Sequence, residues 1–215
     1  MTRQQAEIQL QKLFGFSQFH DLQWQVIENL LAGRRVLFIE KTGFGKSLCF
    51  QFPATQLQGV TIVFSPLIAL MRDQVRSMQE KGIRAAAINS NQEDLENTAI
   101  ITKAQKNELD ILYIAPERME NATWITAARE MKIAMVVIDE AHCISMWGQS
   151  FRPNYRRIVN LVRLLPKSFP VLATTATATL RVQEDIIQQV GTDLIPIRGQ
   201  LLRSNIRLFV VTVQS

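Results

Sequence analysis

A three-layer α/β fold, with a mostly parallel central sheet and helices on both faces, is predicted by three features of the sequence. Six short apolar runs fall at residues 36–39, 60–64, 85–88, 111–114, 133–138 and 171–174. They lack polar alternation, the pattern of strands covered on both sides. Segments with helical spacing lie between them, and such strand–helix repetition implies right-handed crossovers within one sheet. Size agrees with this: 215 residues suit one large domain, and 47% hydrophobic with 20% charged residues is ordinary for a globular protein.

At the start of the chain Ile8, Leu10, Leu13 and Phe14 recur at helical spacing over residues 4–14, and Gly15 is the stop. Asp21 is the expected N-cap of a second helix reaching about residue 32. Trp24, Ile27, Leu30 and Leu31 form its buried stripe, and Gly33 ends it. The run at 36–39 then leads into Glu40-Lys41-Thr42-Gly43-Phe44-Gly45-Lys46-Ser47 and an amphipathic segment. Strand, glycine loop and helix start in this order make a phosphate cradle. Two glycines let backbone N–H groups wrap a polyphosphate. Lys46 would reach the β- and γ-phosphates, and the Ser47 hydroxyl would ligate Mg²⁺. The strict pattern G-x-x-x-x-G-K-[ST] has glycine where this chain has Glu40. A plain turn with a solvated lysine is thus the competing reading of the stretch alone.

Further along, Leu67, Leu70, Met71, Val75 and Met78 form one helical stripe. Val182, Ile186, Ile187 and Val190 form another, closed by Gly191. The run at 133–138 is apolar to its last residue and is followed by Asp139-Glu140-Ala141-His142. Ligands of such sheets bind beyond the carboxyl ends of the strands, where the glycine loop also sits. Asp139 would hold Mg²⁺, and Glu140 would orient and deprotonate the water that attacks the γ-phosphate. Taken alone, two surface acids capping a strand explain the pair equally.

Trp147, Phe151 and Tyr155 recur every four residues, but Gly148 and Pro153 interrupt any continuous helix. An aromatic loop carrying Arg152 suits base stacking, with core packing the expected role of Tyr155. From Ala141 to Gln183 there is no Asp or Glu, while Arg152, Arg156, Arg157, Arg163, Lys167 and Arg181 all fall there. The net charge of +5 is therefore concentrated in this one segment. That suits a localised polyanion contact, with a solvated helix face as the alternative. No apolar run approaches the ~18 residues of a membrane span, and the polar N-terminus lacks a secretory h-region. Cys49 and Cys143 have no metal-ligand spacing and read as reduced thiols of a cytosolic protein. Residues 207–213 read as a strand so near the last residue that a longer polypeptide is expected.

On these residues the chain resembles the RecQ family of superfamily-2 DNA helicases over nearly its whole length. The resemblance implies a RecA-like P-loop NTPase lobe that uses ATP and Mg²⁺ and acts on single-stranded DNA and duplex junctions. Phe14-Gly15-Phe16, Phe19 and Gln23 are similar to the family's adenine-binding motif. By that likeness Phe16 stacks on the base and Gln23 bonds its edge, with His20 where arginine is usual. Thr42, Gly43, Phe44, Gly45, Lys46 and Ser47 match motif I. Residues 65–75 are close to motif Ia, which contacts the DNA backbone, and residues 113–118 resemble the next motif. Asp139 to His142 match motif II, and Thr174 to Ala178 resemble motif III, which links nucleotide and nucleic acid. Gln149 and Ser150 stand where histidine and aspartate are usual in the aromatic-rich loop, which implies weaker coupling.

DNA contacts implied are Ser65, Arg118, Trp147, Phe151 and Arg152. The expected organisation is 1–33 as N-terminal helices with the adenine motif, 34–207 as the ATP-binding lobe, and 208–215 as the start of a connection. That connection would lead to a second RecA-like lobe, whose arginine completes the ATP site. No membrane association is expected. Location would be the cytoplasmic nucleoid of a bacterium or the nucleus of a eukaryote. A nucleic-acid-binding module using nucleotide as a switch, and an RNA helicase, stay open as other readings.

Overall fold

The structure is a computed structural model that describes residues 1–148 and 150–200. Its strands are β1 (Arg35–Ile39), β2 (Val60–Phe64), β3 (Ala85–Ile88), β4 (Ile111–Ile114), β5 (Ile133–Ile138), β6 (Val171–Thr175) and β7 (Ile195–Arg198). The helices are α1 (Arg3–Phe14), α2 (Asp21–Leu31), α3 (Leu48–Ala54), α4 (Ile68–Glu80), α5 (Asp94–Gln105), α6 (Ala122–Glu130), α7 (Tyr155–Leu164) and α8 (Leu180–Val190). Among the described residues the strands form one sheet in the order β3-β4-β2-β5-β6-β1-β7, with every pairing parallel.

Successive residues of each strand feed two separate cores. Leu37, Ile39, Ile62, Phe64, Val136 and Ile138 pack on one face under α5 to α8. Val36, Phe38, Val63, Met135, Val137 and Leu172 pack on the other under α1 to α4. Every residue of β1 and β2 is buried, which is why their sequences show no polar alternation. Each fully buried side chain of this kind stabilises the fold by about 1.5–3 kcal/mol. All six predicted strands are present. β7 was not predicted, because Pro196 interrupts a four-residue edge strand in which only Ile197 is fully buried.

The helices differ from expectation in detail. α1 is capped by Thr2, with Gln5 completing a capping box, and it buries Ala6, Leu10 and Phe14. Of the expected stripe Leu10 and Phe14 are buried and Leu13 is half-buried, whereas Ile8 is 63% exposed and Ala6 takes its place in the core. The cap of α2 is His20, whose N–H donates to Gln23 Oε1 at 3.0 Å. Asp21 is instead the first helical residue and pairs with Arg3 at 2.8 Å. Within α4 the buried residues are Met71 and Met78, whereas Leu67 and Leu70 are exposed. No helix among the described residues is long and apolar enough to cross a membrane. The strand predicted at 207–213 and the residue Gln149 lie outside the described residues.

Candidate nucleotide-binding site

β1 and β5 run parallel with β6 between them, so both end at the same edge of the sheet. Two strand spacings, about 10 Å, separate the start of the glycine loop from the acidic pair. Gly43 and Gly45 both have φ +87°, a conformation that side chains resist. A β-carbon on Gly45 would also lie 2.8 Å from Gln23 Nε2. The loop folds Lys46 back so that Nζ donates to the carbonyls of Glu40 (2.7 Å) and Lys41 (3.2 Å). Burial lowers the Lys46 pKa, and the nearby charges of Glu140, Asp139 and Glu40 oppose that shift. Loop lysine and acidic pair thus share one electrostatic neighbourhood.

Asp139 is partly buried and held from three sides. Thr174 Oγ1 donates to Oδ1 at 2.8 Å, Ser65 Oγ donates to Oδ2 at 3.2 Å, and the Tyr155 hydroxyl donates to its carbonyl at 2.9 Å. Loss of water raises the Asp139 pKa even against these hydroxyl bonds. A cation would relieve that deficit, and Ser47 with Asp139 gives the all-oxygen donor set that Mg²⁺ prefers. Among the described residues no group of three or more His, Cys, Asp and Glu side chains is placed to hold a metal. An ion here would rely on phosphate and water oxygens for its other positions.

Glu140 occupies the left-handed region at φ 50°, ψ 48°, uncommon for glutamate and typical of strain stored at functional sites. Its Oε2 lies 3.2 Å from His142 Nδ1, which is also 3.1 Å from Thr175 Oγ1. The bond from His142 lowers the Glu140 pKa. Bonds to Cys143 and Glu140 raise His142 to about 9. At neutral pH the pair is therefore carboxylate and imidazolium, tied through Thr175 to the end of β6.

Of the residues expected to bind adenine, Phe16 and His20 are exposed and Gln23 is buried. Phe16 is 56% exposed, and the His20 and Phe44 ring centroids are 5.2 Å apart. Gln23, expected to read the base edge, is buried; Nε2 donates to the carbonyls of Phe44 (3.2 Å) and Gly45 (3.3 Å). With Oε1 taken by the His20 N–H, its amide pins the glycine loop to α2.

Of the residues expected to contact DNA, Trp147 and Arg152 are exposed and Phe151 is half-buried beneath the Arg156 guanidinium. Ser65 is buried at the end of β2, where its hydroxyl donates to Asp139. Arg118 is likewise mostly covered, in a short 3-10 turn (Pro116–Glu120), with a guanidinium nitrogen 3.8 Å from Asp94. Two contributors were missed from sequence. Gln74 of α4 reaches the Ser47 hydroxyl at 3.5 Å, and Arg181 of α8 stacks on Trp147. Gln74 lay inside the stretch matched to motif Ia, whereas Arg181 gave no signal beyond its charge.

The DEAD/DEAH box helicase family matches residues 20–186 of this chain. The chain is 41% identical over 186 residues to the ATP-dependent DNA helicase RecQ of Bacillus subtilis strain 168, an alignment covering 86% of this chain and 32% of that protein. It is 38% identical over 203 residues to the RecQ of Pasteurella multocida strain Pm70, covering 94% and 32% respectively. The chain thus spans about a third of the length of these curated relatives. Its fold is similar to the crystal structure of a hypothetical ATP-dependent RNA helicase from Sulfolobus tokodaii. The TM-score is 0.68 at 20% identity, over 91% of this chain and 57% of that one, a likeness that bears on fold alone.

Proposed function

Because the chain belongs to the DEAD/DEAH box helicase family, with its relatives among RecQ enzymes, we propose that it is the ATP-binding lobe of an ATP-dependent DNA helicase. Hydrolysis at this lobe drives movement along single-stranded DNA and separation of duplex. The observation that carries the reading is that the glycine loop bearing Lys46 and the Asp139-Glu140 pair follow β1 and β5 at the same edge of the sheet, one strand apart. In this reading residues 42–47 wrap the phosphates, Lys46 exchanges its carbonyl partners for phosphate oxygens, and Ser47 and Asp139 hold Mg²⁺. When bound, the ion neutralises charge on the phosphates.

Glu140 faces the attacking water. Its carboxylate, kept ionised beside His142, orients that water and takes its proton, in a reaction governed largely by positioning. A second lobe supplies the arginine that completes the site, and such a residue contributes about 10³–10⁵ in rate. Trp147, Phe151 and Arg152 form the DNA face, and the protein works at the chromosome.

ATP turnover of the full-length protein, titrated with single-stranded DNA and with RNA of the same sequence, tests this. Stimulation of about tenfold or more by DNA is expected, a part of the about 10³–10⁵ that completing such a site contributes. Turnover indifferent to DNA would reduce the protein to a nucleotide switch, and stronger stimulation by RNA would reassign the substrate.

A further inference from the structure

The aromatic loop after the acidic pair is fastened to α8 at two points. The Arg181 guanidinium lies 3.3 Å above the centroid of the exposed Trp147 indole. One helical turn on, Asp185 Oδ2 accepts from the buried Ser145 hydroxyl at 2.6 Å, and that hydroxyl accepts from the Trp147 N–H at 3.2 Å. Gln189 Nε2 steadies the other Asp185 oxygen at 2.9 Å.

α8 itself is held firmly. Thr179 caps its start, with Oγ1 accepting from Val182 N at 3.3 Å. Arg163 of α7 donates to the Gln189 carbonyl at 2.7 Å near its end, and Arg198 of β7 donates to the Ala178 carbonyl at 2.9 Å. The residues just before α8 lead directly back to the nucleotide site. Thr174 bonds Asp139, and Thr175 bonds His142. A cleft of about 620 Å³ opens between the loop and the start of α8, with His142, Trp147, Thr177 and Val182 among its walls.

We propose that Arg181 and Asp185 are positioning residues that set how strongly a polynucleotide on the aromatic loop accelerates ATP turnover, because they join that loop to α8. The proposal rests on the motor reading given above and names a route within it. A base stacking on Trp147 must use the free face of the indole or displace Arg181, so occupancy changes the load on the first residue of the clamp. The Ser145–Asp185 bond keeps the loop and α8 moving together, and the helix start passes that shift to Thr174 and Thr175. The competing route runs along the main chain from Trp147 back to Glu140 and needs neither residue.

The test compares ATP turnover of the full-length protein with and without saturating single-stranded oligonucleotide, in Asp185→Ala, Arg181→Ala and Arg181→Lys. Asp185→Ala keeps its unstimulated rate, while both alanine variants lose about three- to tenfold of the DNA-stimulated ratio. Arg181→Lys restores most of it. An unchanged ratio in both alanine variants overturns the proposal. So does an Arg181→Ala protein that only needs more DNA to reach the full ratio, since Arg181 would then be a plain phosphate contact. Thermal melting accompanies each variant; if Asp185→Ala unfolds, the exposed Arg181 pair decides alone. An unmodified protein that DNA does not stimulate, or a Lys46→Ala protein that still turns over ATP, sinks the motor reading and this inference with it.

Discussion

Glu140 and His142 show how single residues set the chemistry. The left-handed backbone at Glu140 turns its carboxylate to the imidazolium of His142. Glu140→Gln keeps the shape and hydrogen-bonding reach but loses the charge. It is expected to leave nucleotide affinity unchanged and lower DNA-stimulated turnover by about 10²–10⁴, measured as kcat in the full-length protein.

The same pair has a pH signature. His142 titrates higher in the folded state than its ordinary 6.5, so its contribution to stability is complete below that value and disappears as pH rises through about 9. Glu140 titrates lower when folded, so its share is present above the ordinary carboxylate range and lost as acid protonates it. After allowance for solvent screening, the His142 share is about 1 kcal/mol, or about 2–4 °C in a domain of this size. The unmodified protein should therefore lose that much more Tm between pH 7 and pH 10 than His142→Gln. Equal losses would show that His142 is neutral in the folded protein.

Ser65 carries a third prediction at this scale. As a partner of Asp139 it is expected to matter for the metal. Ser65→Ala should raise the magnesium concentration for half-maximal turnover about tenfold. The affinity for single-stranded DNA should not change, whereas loss of a hydroxyl contact to the DNA backbone would weaken it.

At the scale of elements, the strands were legible because burial on both faces leaves an unbroken apolar run, as in the residues of β1 and β2. Helices α1 to α4 and α8 were legible in place, though α1 and α4 not fully in face, while α5, α6 and α7 were not placed. In α1 the side chain at Ala6 carries too little hydrophobicity to mark the buried stripe, while the exposed Ile8 carries much. Nor did the sequence reveal how α7 ends. No glycine follows Leu164; instead the buried Arg35, at the opposite end of β1 from the glycine loop, donates to the carbonyls of Val162 (3.3 Å), Leu165 (2.9 Å) and Pro166 (3.1 Å). A contact across more than a hundred residues has no local signal. Arg35→Met is expected to cost about 2–4 kcal/mol, read by urea unfolding, because three covered carbonyls and Asp193 lose their cation. A loss under about 0.5 kcal/mol would mean that water replaces the guanidinium freely.

Across the whole molecule, topology brings the distant parts together. The glycine loop and the acidic pair were readable as motifs because each packs its chemistry into a few consecutive residues at a strand end. Their partners were not, since Ser65, Thr174, Tyr155 and Gln74 come from four other elements and only the strand order β2-β5-β6-β1 sets them around one edge. Gln23 shows the converse. Its type and place suggested a base contact, and nothing local announced that its amide also donates to the glycine-loop carbonyls. The clamp between α8 and the aromatic loop was invisible for the same reason, as Arg181 and Asp185 lie 34 and 40 residues from Trp147 and Ser145.

The claim on which the rest depends is that Lys46, Ser47 and Asp139 surround one metal–triphosphate. A crystal grown with Mn²⁺ in place of Mg²⁺ and a non-hydrolysable ATP analogue addresses it directly through the anomalous signal of the ion. One manganese peak between the Ser47 hydroxyl and Asp139, with phosphates over residues 42–47, is the predicted result. A peak elsewhere, or phosphates bound away from Lys46, would contradict the account.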